Sequence, residues 1–183
     1  MPGFVSFFEL NEIVIVIPEP SEINIKENVS QNCVSKRMSV TSTLVWGTAN
    51  PEGLKDSYRG VYLNQSDITS MVEQVNEANR SGGSIPVKLE HSGVSLGRVV
   101  SAWESKGTLE CVLEINERVL EGSIGAEFVR AGICKDLSLG YTVEMEQSKT
   151  TGKMQSRRKK LNEVSLVVKG ARHRCNVHGI SKK

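Results

Sequence analysis

Between residues 85 and 115 three apolar runs follow one another with too little chain between them for anything but strands. The runs cover residues 85–89, 96–103 and 109–115, and the gaps are too short to hold an intervening helix of ordinary length. Lys106-Gly107 falls between the second and third runs, where a tight hairpin needs a residue that tolerates positive φ. The three runs therefore read as strands, the last two joined by a hairpin.

The flanking sequence adds strands and two helices. Leu44-Val45-Trp46-Gly47 suits a strand, and Asn50-Pro51-Glu52-Gly53 signals a turn after it. A helix is expected from Ser66, capped by Ser66 or Asn64, with Ile68, Met71, Val72 and Val75 at helical spacing. Ser81-Gly82-Gly83 stops it. A second helix fits residues 117–131, with Leu120, Ile124 and Phe128 on one face and Gly132 just past its end. Residues 137–145 and 161–169 read as strands, and the polar stretch 146–160 between them as a mobile hairpin loop. The expected fold is α+β, a mostly antiparallel β-barrel flanked by helices. Residues 1–42 read as an N-terminal extension with one strand, residues 43–172 as the domain, and residues 173–183 as a basic tail that frays.

Composition narrows the function classes. The 183 residues are 38% hydrophobic and 24% charged, as in ordinary globular proteins. A net charge of +2 is too small to argue for nucleic-acid binding over the whole surface. No stretch of 18 apolar residues exists, so no membrane span is expected. The apolar run Ile13-Val14-Ile15-Val16-Ile17 follows Glu9 and Glu12 and lacks a basic leader, so it does not read as a signal peptide. Cys33, Cys111, Cys134 and Cys175 show no CxxC spacing, and free thiols in a reducing compartment are expected.

Three positions could carry chemistry together. His91, one of only three histidines, ends the strand-like run Pro86-Val87-Lys88-Leu89 and precedes a glycine turn, a site that is both fixed and open. Ser138 lies between Leu137 and Leu139, so in a strand it faces away from both. A serine is inert at its free pKa and needs a base beside it. Glu163 shares a strand face with Ser165 and Val167, where a carboxylate could orient a histidine. Taken singly, each also fits a solvated or structural role.

The joint order resembles that of the viral capsid-maturation serine proteases, the herpesvirus assemblins and tailed-phage prohead proteases. The matching pieces are residues 86–91, Leu96-Gly97-Arg98-Val99-Val100, the helix end Glu127-Phe128-Val129-Arg130-Ala131-Gly132, residues 136–141, and residues 163–168 followed by Gly170-Ala171-Arg172. The resemblance implies Ser138 as nucleophile, His91 as general base and Glu163 as the third member. Assemblins typically place a second histidine there, whereas phage-type members carry an acid. It also implies an oxyanion site at Ala171 and Arg172, where an assemblin arginine pair is reduced to one arginine. The function implied by the resemblance is that of a serine endopeptidase that cuts an internal scaffold, and itself, during capsid or prohead maturation. Scaffold and capsid proteins would be its partners, it would act as a homodimer or higher oligomer, and it would need no cofactor. Its place would be the precursor capsid in an infected cell, nuclear if herpesvirus-like and cytoplasmic if phage-like. No membrane or nucleic-acid partner is expected. The rivals are a catalytically inactive scaffold-binding or capsid-binding module of the same fold, and an unrelated basic nucleic-acid-binding β-domain.

Other signals are weaker. His173, Cys175 and His178 have a spacing that fits no standard structural zinc site, so no metal is expected. Arg157-Arg158-Lys159-Lys160 reads as a solvated loop run, a nuclear-targeting patch or a cleavage site. Trp46, Trp103 and Tyr141 read as core or as the wall of a substrate groove.

Overall fold

The computed structural model describes residues 7–10, 13–16, 42–50, 63–152 and 154–181. The chain divides into two units, Met1–Ser39 and Val40–Lys183. In the first, β1 (Phe7–Leu10) and β2 (Ile13–Val16) pair antiparallel, with Phe7 opposite Val16 and Leu10 opposite Ile13. The isoleucine–valine run thus has a strand partner of its own, where one strand was expected. The rest of residues 1–41, including Cys33, lies outside the described residues, as does the turn signal after Asn50.

The second unit is a mixed sheet of seven strands with two helices. Its elements are β3 (Ser42–Asn50), α1 (Gln65–Arg80), β4 (Pro86–Leu89), β5 (Ser92–Ser105), β6 (Thr108–Asn116), α2 (Leu120–Arg130), β7 (Asp136–Gln147), β8 (Met154–Val167) and β9 (Val177–Ile180). The strand order is β7-β8-β4-β5-β6-β3-β9. The three central runs form the meander β4-β5-β6, and Lys106 and Gly107 take φ of 50° and 83° in the β5–β6 turn. Every pair is antiparallel except β4–β8, which is parallel.

The expected barrel does not close. β7 and β9 end the sheet, and near one end they are joined by single bonds instead of a ladder. Val177 N–H donates to the Lys135 carbonyl at 2.8 Å, and Leu137 N–H to the Cys175 carbonyl at 3.3 Å. Closure requires a continuous stagger of paired strands, which the short β9 does not supply.

One face of the sheet carries the core, with Val45, Val87, Val99, Leu113, Leu137 and Leu166 buried against Ile68, Met71 and Val75 of α1. α1 follows the sequence pattern closely. Asn64 caps it, accepting from Asp67 N–H at 2.9 Å while the Asp67 carboxylate accepts from Asn64 N–H at 2.8 Å. α2 departs from it. Its buried positions are Gly122, Gly125, Ala126 and Val129, while Leu120 is 72% exposed and Ile124 also faces outward. Arg130 anchors its far end, donating to Glu117 and to Thr43, which in turn donates to Glu117.

Two stretches expected to be irregular form strands. The polar stretch 146–160 continues the β7–β8 hairpin, leaving a short turn in which Gly152 N–H donates to the Ser148 carbonyl at 2.8 Å. Antiparallel pairing satisfies the backbone without needing apolar side chains. The basic run is split by strand alternation. Lys159 is buried in an ion pair with Asp67 of α1 at 2.8 Å, whereas Arg158 and Lys160 are exposed. Residues 177–180 of the expected tail form β9, which pairs with β3, and Val177 and Ile180 pack on the core.

Candidate active site

The outward face of the β7–β8–β4 ladder carries the three candidate residues. Ser138 of β7 is paired with Ser165 of β8, and Ser165 with Lys88 of β4, so these three side chains form a row across three strands. Glu163 lies two residues along β8 on the same face, opposite Gly140. Leu137 and Leu139 point the other way into the core, so the apolar neighbours of Ser138 hold its strand while the hydroxyl faces out.

His91 sits in the tight turn between β4 and β5. Leu89 pairs with Ser92, and the two residues between them, Glu90 and His91, have φ of 48° and 59°. Both values belong to the left-handed region of a type I′ turn, which favours asparagine and glycine. A side chain held there costs on the order of 1 kcal/mol, so other contacts must hold it. The Glu90 carboxylate accepts from Val168 N–H at 2.7 Å, and Glu90 N–H donates to the Leu166 carbonyl at 3.0 Å. The turn is thereby fastened to the end of β8.

In this position the imidazole bridges the other two residues. Nε2 lies 2.8 Å from Ser138 Oγ, and Nδ1 lies 2.7 Å from Glu163 Oε1. An ionised carboxylate only accepts, so Nδ1 carries the proton and Nε2 accepts from the Ser138 hydroxyl. Ser138 and Glu163 are buried at 4% and 6% exposure, while the His91 side chain is 42% exposed. The nucleophile candidate is recessed and its base is open to solvent.

Glu163 is held on both oxygens. Besides His91, Oε1 accepts from Ser165 Oγ at 3.0 Å, and Oε2 lies 3.3 Å from Lys88 Nζ. Burial pushes its pKa up, but hydrogen bonds from His91, Ser165 and Lys88, with the nearby His91 charge, outweigh burial and hold it below its ordinary value. Gly140 makes this geometry possible. A Cβ there would lie 2.5 Å from Glu163 Cγ and 2.7 Å from Oε1, so only glycine leaves room for the carboxylate against β7.

The segment after β8 passes beside the start of β7. Gly170 N–H donates to Asp136 Oδ2 at 2.8 Å, and a Cβ at Gly170 would stand 3.1 Å from the Leu137 carbonyl oxygen. Ala171 is exposed. Arg172 is buried, with Nη2 donating to Tyr141 Oη at 3.0 Å and the guanidinium carbon 5.8 Å from the Tyr141 ring centre. Tyr141 itself is partly buried and packs against the core.

His173, Cys175 and His178 have separate surroundings. His173 is exposed, the buried Cys175 donates to the Ala49 carbonyl, and His178 Nε2 lies 3.0 Å from Thr48 Oγ1. Among the described residues no cluster of three or more histidine, cysteine, aspartate or glutamate side chains could hold a metal ion. Cys111, Cys134 and Cys175 are buried free thiols, and burial pushes the Cys134 pKa up to about 11. Among the described residues no helix is long and apolar enough to cross a membrane.

Sequence reasoning brought Ser138, His91 and Glu163 forward but passed over Lys88, Ser165 and Gly140. Ser165 could have been found from its period-two position beside Glu163. Lys88 could not, because the parallel β4–β8 pairing leaves no local mark.

No protein-family model matches the chain, and no curated protein matches it. Among solved structures it is similar to a KSHV protease in complex with a hexapeptide phosphonate inhibitor, with a TM-score of 0.52 and 14% sequence identity. The match covers 78% of this chain and 66% of that one. The chain has a herpesvirus-protease-like fold. The likeness rests on the arrangement of the strands and helices, since so few residues are shared.

Proposed function

We propose that this chain is a serine endopeptidase that cleaves an internal scaffold, and its own flanking sequence, during capsid or prohead maturation. The observation that carries the catalytic part is the continuous hydrogen-bond line from Ser138 Oγ through both ring nitrogens of His91 to Glu163 Oε1. The likeness of the fold to a viral protease supports the same reading. The capsid-maturation role rests on the sequence resemblance.

In this mechanism His91 Nε2 takes the Ser138 proton as Oγ attacks a peptide carbonyl carbon. Glu163 keeps the proton on Nδ1 and stabilises the imidazolium that forms. The ring then delivers the proton to the leaving amine, and a water repeats the sequence to release the acyl group. Backbone N–H groups at Ala171 and Arg172 are the candidates for holding the oxyanion, supported by the passage of Gly170 beside Leu137. A single such donor is worth about 3–4 kcal/mol of barrier. The open outer edge of β7 beyond Leu137 suits an extended substrate, which would pair with it as an added strand.

The test is covalent. A fluorophosphonate probe should label Ser138 in the wild type and leave Ser138→Ala unlabelled, with both proteins melting at the same temperature. Mass spectra of the two after storage should show processed ends in the wild type alone. A wild type that takes no label under conditions favouring assembly would instead favour an inactive binding module.

A further inference from the structure

Glu163 meets both His91 and Lys88, and only the histidine belongs to the triad. We propose that Lys88 is a positioning residue of this site, its ammonium holding Oε2 of Glu163 so that Oε1 stays aimed at His91. This rests on the serine-hydrolase reading of the site.

Three observations carry it. Lys88 Nζ lies 3.3 Å from Oε2, the oxygen that neither His91 nor Ser165 uses. Lys88 lies on β4 in direct register with Ser165, which is itself in register with Ser138, so β4 presents the lysine to the same face as the hydroxyl. Its side chain is 32% exposed and Glu163's is 8%, so the pair sits where water screens it only in part.

The physical need is specific. A glutamate side chain has three torsions, and contacts at Oε1 alone would let the carboxylate turn about its terminal bond. A second contact on Oε2 from another strand removes that freedom. Gly140 leaves room for the carboxylate, Ser165 and His91 hold one oxygen, and Lys88 holds the other. The charged or titratable groups facing Glu163 are Lys88 of β4 and His91 of the following turn. From β8 and β7 it meets the neutral Ser165 and Gly140. Removing the ammonium leaves two of the three hydrogen-bond partners that hold the carboxylate ionised. It should then protonate at higher pH, and acid inactivation should begin earlier.

The experiment compares the rate of fluorophosphonate labelling at Ser138 from pH 4 to 9 in the wild type, Lys88→Met and Lys88→Arg. Lys88→Met should label about tenfold more slowly at neutral pH, as expected for a misaligned base. Its acid limb should move to higher pH, and Lys88→Arg should restore both. Lys88→Met labelling at the wild-type rate with an unmoved acid limb overturns the proposal. So does a uniform loss in both variants that tracks a lower melting temperature. If the wild type itself takes no label, the hydrolase reading fails and the role of Lys88 falls with it. A labelled wild type beside an indifferent Lys88→Met sinks the lysine alone.

Discussion

The two helices pack against the same sheet by opposite means. α1 inserts large side chains, with Ile68, Met71 and Val75 fully buried, and its start is closed by a reciprocal Asn64–Asp67 cap. α2 has no side-chain cap and buries small residues, with Gly122 against the sheet backbone and Gly125 against the Leu96 and Leu166 side chains. A Cβ at Gly122 would stand 2.0 Å from the Asn116 carbonyl oxygen and 3.1 Å from that of Leu96. The close approach turns Leu120 and Ile124 outward. An apolar stripe on a helix thus marks the core face only when the helix stands off far enough to need large side chains. Where glycines bring two backbones together, small residues make the contact.

Substitutions at the two contacts can break this contrast. Met71→Ala should cost the most, about 3–4 kcal/mol, because it opens a cavity in a site with no solvent access. Urea unfolding would measure it, and a loss under about 1 kcal/mol would mean that the α1 contact is loosely packed. Gly122→Ala should come next, at about 2 kcal/mol net. The methyl gains about 1 kcal/mol of helix propensity but meets backbone that cannot yield. Since α2 leads directly into β7, this variant should also label more slowly at Ser138, whereas Met71→Ala should label normally while folded. A stabilised Gly122→Ala would show that α2 has room to retreat. Leu120→Ser should have the smallest effect, within about 0.5 kcal/mol, because a side chain so exposed loses little burial. A large loss there would mean that the outward face of α2 is covered in solution.

The same contrast explains what could be read in advance. α1 was readable because cap, periodicity and stop signal all describe one face. The presence of β5 and β6 was readable from their apolar runs and the Lys106-Gly107 turn, although β5 runs from Ser92 to Ser105, past both ends of the 96–103 run. The face of α2 was misread because hydropathy ranks leucine above glycine, and close backbone approach is not a hydropathy signal. The β7–β8 hairpin was cut short because polar strands look like loops until a partner satisfies their backbone. At the site, Ser138, His91 and Glu163 were candidates from residue type and strand alternation. Nothing local joined them, since they are separated by 47 and 72 residues along the chain.

The sequence by itself determined the central strands with the Lys106-Gly107 turn, the two helices and the outward direction of Ser138 and Glu163, because each follows from neighbours a few residues away. The parallel pairing of β4 with β8 was a tertiary decision, and so were the open sheet and the left-handed backbone at His91. These depend on which distant strands lie side by side, and hydropathy patterns carry no register between segments that far apart. That pairing sets Lys88 in register with Ser165 and, through the turn that follows β4, brings the imidazole between a hydroxyl and a carboxylate on two other strands.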